Sequence, residues 1–123
     1  MTTKTKVYWL VTVVFCLIFA LGGMANLLRA EVQVEAMTAL GYPTYMMTIL
    51  GVFKILGVIA LLAPGFPILK EWAYAGFAFD MVGASASHAF VGDPLQTIIV
   101  PLVILGVGAA SYQLRPESRR VTA

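Results

Sequence analysis

Two stretches of this chain carry no charge over the width of a lipid bilayer. Residues 7–28 make one, 22 positions long, and residues 94–114 the other, 21 positions long. About 20 mostly apolar residues in a helix cross the hydrocarbon core. Between them lie two more apolar stretches, each with one interior charge. Residues 44–63 carry Lys54, and residues 72–91 carry Asp80. The segments between suit turns: Ala39-Leu40-Gly41-Tyr42-Pro43, Ala63-Pro64-Gly65-Phe66-Pro67 and Gly92-Asp93-Pro94.

The pattern predicts an all-α integral membrane protein, a four-helix up-down-up-down bundle in a single membrane domain over residues 1–123. An open sheet cannot sit in lipid, and the chain is short for most closed barrels. Composition agrees: 60% of residues are apolar and 11% charged, against about 25% charged in a soluble domain. Too few charges remain to cover a small soluble fold, which excludes an ordinary soluble domain, a disordered chain and a nucleic-acid binder. Lys4 and Lys6 ahead of the first stretch raise the alternative of a cleaved signal peptide. Its apolar run is longer than the usual core of about 7–15 residues.

Basic residues give the orientation. Four spans would put Lys4, Lys6, Lys70, Arg115, Arg119 and Arg120 on one side and only Arg29 on the other. Both termini are therefore expected in the cytoplasm, in a multi-pass cell-membrane protein, with a bacterial inner membrane as the expected setting. The tail from Arg115 to Arg120 is expected to anchor to anionic lipid heads. Tyr8, Trp9, Trp72, Tyr74 and Tyr112 read as interface aromatics. Close helix packing is expected at Gly22-Gly23, Gly51, Gly57, Gly76, the pair Gly83 and Ser87, and the pair Gly106 and Ala110. The tetrapeptide Ile-Leu-Gly-Val recurs at 49, 55 and 104, which chance explains in so apolar a chain.

The polar residues inside the spans carry any chemistry. Lys54 and Asp80 each lie about ten residues from the outer end of a span, roughly 15 Å deep. An ionised group there is costly unless paired, so the two are expected to form an ion pair at the midplane. That pair reads either as a structural clamp or as a proton relay and polar anchor. Nearer the outer face stand Asn26, Ser85, Ser87, His88 and Gln96. Asp80 and Ser87 are seven apart and nearly share a helical face, drawing a polar stripe from Asp80 to His88. Glu31 and Glu35 in the outer loop are expected to overhang it. A histidine side chain is suited to handling protons, which makes His88 a candidate for that role. One histidine and scattered loop carboxylates do not make a metal site. The lone Cys16, deep in the first span, reads as a packing residue and forms no dithiol pair.

The third span resembles a known pattern. The stretch from Leu69 to Phe77, followed by Asp80, Gly83-Ala84, Ser87-His88 and Gly92-Asp93, is similar to the DoxX-like family. So are Gly41-Tyr42-Pro43, Gly51-x-x-Lys54-x-x-Gly57 and Leu61-Leu62-Ala63-Pro64. The resemblance covers about residues 5–115 and implies a small four-helix membrane protein. The family takes its name from a subunit associated with thiosulfate:quinone oxidoreductase, and some relatives are linked to thiol or oxidative-stress complexes. The foremost expectation is an accessory or binding subunit holding a lipid-like ligand or a partner protein in the bilayer. A second is a quinone-linked oxidoreductase component fed with electrons by a redox partner, with Asp80 and His88 moving protons. A third is a small proton-coupled transporter, which would work as a homo-oligomer. It ranks last because its only intramembrane acid is Asp80.

Overall fold

The computed structural model describes residues 2–121. They form five helices: α1 (Thr3–Leu27), α2 (Glu31–Ala39), α3 (Tyr45–Leu62), α4 (Pro67–Phe90) and α5 (Leu95–Gln113). A single 3-10 turn, Glu117–Arg119, follows. No strand occurs among the described residues. Three helices, α1, α3 and α5, are long and apolar enough to cross a membrane, with mean hydropathy of 2.3, 2.2 and 1.8. The 24-residue α4 has the length, but Asp80, His88 and two serines leave it too polar to be counted with them.

Local chemistry sets the helix ends. Thr2 caps α1, its hydroxyl accepting from the Thr5 N–H at 3.1 Å. α1 therefore begins before the apolar stretch and takes in Lys4 and Lys6. Between α3 and α4 the chain reverses through Gly65 and Phe66, with φ of 76° and 52°. Pro67 then starts α4 at a position where its missing N–H costs nothing. Gly92, at φ 78°, turns the chain between α4 and α5, a conformation glycine adopts without a Cβ penalty. The segment expected as an outer loop contains α2. Its nine residues follow Arg29, itself left-handed at φ 51°.

The four long helices pack in a ring: α1 on α3, α3 on α4, α4 on α5, and α5 back on α1. Phe15, Phe19 and Phe77 interlock at its centre, with ring centroids 4.1–5.4 Å apart. Cys16 is buried beside them. The outward surface is apolar on all four helices, with Leu10, Leu21, Phe53, Phe79 and Val103 all exposed. A surface of that kind suits lipid rather than water.

Glycines make the closest approaches. A Cβ on Gly51 would lie 2.9 Å from the Gly23 carbonyl oxygen, and one on Gly108 would lie 2.7 Å from the Phe15 ring. Gly57 meets the Phe77 ring in the same way. Gly76, Gly83 and Gly106 face open space instead, so the contacts expected there do not form. Gly108 is a contact that the spacing of small residues did not single out.

The end of the bundle that holds both chain termini is cross-linked by polar groups. Ser111 is the hub of one chain, 2.5 Å from the Thr12 hydroxyl and 2.7 Å from the Tyr74 hydroxyl. All three residues are buried. Removing the hub with Ser111→Ala leaves two buried hydroxyls short of a partner. The expected loss is about 2 kcal/mol, read as a lowered thermal midpoint in detergent. An unchanged midpoint would show that the chain is not formed.

Several residues here correct the expectations. Lys70 is 1% exposed and turns inward, donating to the carbonyls of Ala63 and Gly65 across the α3–α4 turn. Arg115 and Arg119 are each 8% exposed. Arg115 pairs with Glu71, which also accepts from the Tyr112 hydroxyl at 2.8 Å. Arg115 and Arg119 face protein rather than lipid heads because the chain after α5 folds back over the bundle, whereas Lys70 is held by the α3–α4 turn. Tyr8 and Tyr74 are likewise core residues rather than interface aromatics, whereas Trp72 is exposed.

Candidate functional site

The close approach of Gly23 and Gly51 aims Lys54, the next turn of α3, at α1. There its ammonium donates to Asn26 Oδ1 at 2.9 Å. Asn26 is 2% exposed, so its amide oxygen needs a partner, and Lys54 supplies it. This corrects the expected ion pair. The two salt bridges among the described residues are His88–Asp93 and Arg115–Glu71; neither uses Lys54 or Asp80. Asp80 stands across a cleft on α4, half-buried as Lys54 is.

Two cavities meet at that cleft. A polar one of about 260 Å³ runs outward from Lys54 and Asp80. Asn26, Ser87 and His88 line it too, so five of the six residues singled out from the sequence share one space. Sequence reasoning missed Gln33 and Tyr42, which also line it. The sixth candidate, Gln96, lies exposed near the start of α5 and lines neither of the two cavities. The second cavity, about 700 Å³, is an apolar groove between α3 and α4. It includes Leu56, Gly57, Trp72, Gly76 and Phe77. Leu50, Lys54, Phe79 and Asp80 belong to both cavities.

The end of the polar cavity nearest α2 is organised by short hydrogen bonds. The Ser87 hydroxyl donates to the Gly83 carbonyl at 2.7 Å, so its oxygen accepts from the Tyr42 hydroxyl at 2.6 Å. His88 Nδ1 lies 2.6 Å from Asp93 Oδ2, which returns from the α4–α5 turn. The five-residue spacing across a helix end hid this pair in the sequence. Ser85 turns away to α5, donating to the Ile98 carbonyl at 2.8 Å, and does not line the cavity. α2 covers the cavity with Gln33, Ala36 and Met37, and none of its residues is buried. Glu31 and Glu35 are exposed on α2 and do not line the cavity. Among the described residues no three Cys, His, Asp or Glu side chains gather to hold a metal.

A bond between Tyr42 and Ser87 ties the segment after α2 to α4. Tyr42→Phe should remove about 1 kcal/mol and speed hydrogen exchange at the amides of α2, while α4 and α5 keep their protection. Unchanged exchange in α2 would rule out the tie.

A model of the DoxX-like family matches residues 10–111. The chain belongs to the DoxX-like family. The match takes in all six candidate residues and both cavities. In this DoxX-like membrane protein the segment carrying Arg115 and Arg119 lies beyond the matched region. Neither a search of curated proteins nor one of solved structures gives a match.

Proposed function

We propose that this DoxX-like protein is a multi-pass membrane protein that holds a lipid-like molecule, acting as a binding or accessory subunit. Its four long helices would cross the bilayer up and down, with both termini in the cytoplasm, where the positive-inside bias favours them. One observation carries the reading: the apolar groove and the polar cavity share Leu50, Lys54, Phe79 and Asp80. An apolar body can lie along α3 and α4 while its polar head reaches Lys54 and Asn26. Pockets of this kind, apolar with a few converging polar groups, are where small ligands bind. A quinone has this shape, and its redox use would need electrons from a partner protein.

The test is mass spectrometry of the gently purified protein with its co-extracted molecules. Gly76 lines the groove, and nothing lies within 4 Å of where its Cβ would be. Gly76→Trp should therefore fill the groove without disturbing the core. The expected result is a stoichiometric amphiphile in the native protein, reduced at least tenfold in Gly76→Trp at equal folded yield. Only loosely held bulk phospholipid in both proteins would sink the reading. A quinone among the bound molecules would select the redox form of it.

A further inference from the structure

Two opposite charges face one cleft without meeting. The Lys54 ammonium has three N–H donors, and one is taken by Asn26. The Asp80 carboxylate accepts no hydrogen bond from any described residue, and neither side chain joins a salt bridge. Both groups line the groove and the polar cavity, on opposing helices, at the junction of the two. The other polar groups of the cavity are neutral amides and hydroxyls, together with His88, which is held by Asp93. The free charge presented at the junction is thus one positive and one negative.

Charges left in a low-dielectric setting are costly unless a partner satisfies them. A ligand head with a single negative charge would satisfy Lys54 and sit against Asp80. A head with a single positive charge would do the reverse. Like charges set against each other at a binding site oppose binding. A head carrying both charges satisfies both groups.

We propose that the occupant of the site is an amphiphile with a zwitterionic head, its anionic oxygens on Lys54 and its cationic N–H donors on Asp80. This rests on the lipid-like reading above and names the head that reading leaves open. Phosphoethanolamine is the simplest head of this class. The apolar chain lies in the α3–α4 groove, and the polar cavity beneath α2 receives the head.

The experiment titrates the delipidated full chain in detergent with three probes of matched chain length, followed by native mass spectrometry. The probes are a lysophosphatidylethanolamine, a lysophosphatidylglycerol and a primary alkylammonium, whose head keeps its N–H donors. The zwitterion should bind roughly tenfold more tightly than either singly charged probe. Asp80→Asn should move the preference to the anionic probe, and Lys54→Gln to the cationic one. The wild-type series needs no variant, so it decides the question even if a variant folds poorly. Equal binding of all three probes would overturn the head assignment while leaving the lipid-like site intact. Stronger binding of either singly charged probe would overturn it too. If no probe binds and Gly76→Trp has no effect on co-extracted molecules, the lipid-like reading itself falls.

Discussion

Replacing Arg119 with Ala should lower the thermal midpoint of the detergent-solubilised protein by about 10 °C or more. Its guanidinium donates to the Tyr8 hydroxyl at 3.0 Å and to the carbonyls of Leu61, Leu62 and Ala63 at 2.8, 3.1 and 3.1 Å. It also lies over the Trp9 ring, 4.6 Å from the centroid. The last carbonyls of a helix have no partner within the helix; here Arg119 satisfies those of Leu61 and Leu62 and shares that of Ala63 with Lys70. Each buried group left unpaired costs about 1–3 kcal/mol, so the set amounts to about 3–5 kcal/mol. For a domain of this size each kcal/mol moves the midpoint by about 3–6 °C. Arg119→Lys should recover little, because an ammonium on a flexible stem does not reproduce a planar fork. Arg120→Ala is the control. Arg120 is half-buried, and among the described residues its side chain donates to the Arg115 carbonyl alone, at 2.7 Å. Equal midpoints for the two alanine variants would mean that Arg119 does not hold the tail to the bundle.

The same arginine shows why the sequence was only partly legible. Hydropathy and turn residues located the long helices, since apolar runs and the Gly and Pro positions act locally. The positive-inside count registers on which side a cation lies, not whether it faces lipid or protein. Arg115 and Arg119 therefore read as lipid anchors, although the chain after α5 folds back and buries them. α2 escaped notice because nine residues with no buried face leave no apolar period. Five of the six candidate polar residues line one cavity, at the depths their places along the spans implied, while Gln96 lies apart. Depth could not say which way Lys54 turns. That depends on Gly23 and Gly51, which bring α1 close enough for Asn26 to take the ammonium in place of Asp80. The site residues were visible one by one, and their pairing was a tertiary fact.

That dependence makes Gly51 the second position of large effect. A Cβ there would lie 2.7 Å from Leu27 Cγ and 2.9 Å from the Gly23 carbonyl oxygen. Leu27 can change rotamer, but the Gly23 backbone can move only if α1 and α3 separate. Overpacking a tight contact costs about 1–3 kcal/mol and occasionally more. Gly51→Leu, which adds a whole isobutyl group at a backbone contact, belongs at the upper end. Gly51→Ala should cost less. Gly106→Leu is the matched control, since nothing lies within 4 Å of its added Cβ. Folded yield by size-exclusion chromatography should fall severalfold for Gly51→Leu and stay near wild type for Gly106→Leu. The effect should also reach the site. Widening the α1–α3 gap draws Lys54 away from Asn26, so Gly51→Ala should weaken amphiphile binding even in the fraction that folds. Ser111→Ala, which loosens the opposite end of the bundle, should lower stability while leaving that affinity intact. A parallel loss of affinity in both variants would mean that the site responds to general loosening and not to the register of α1 on α3.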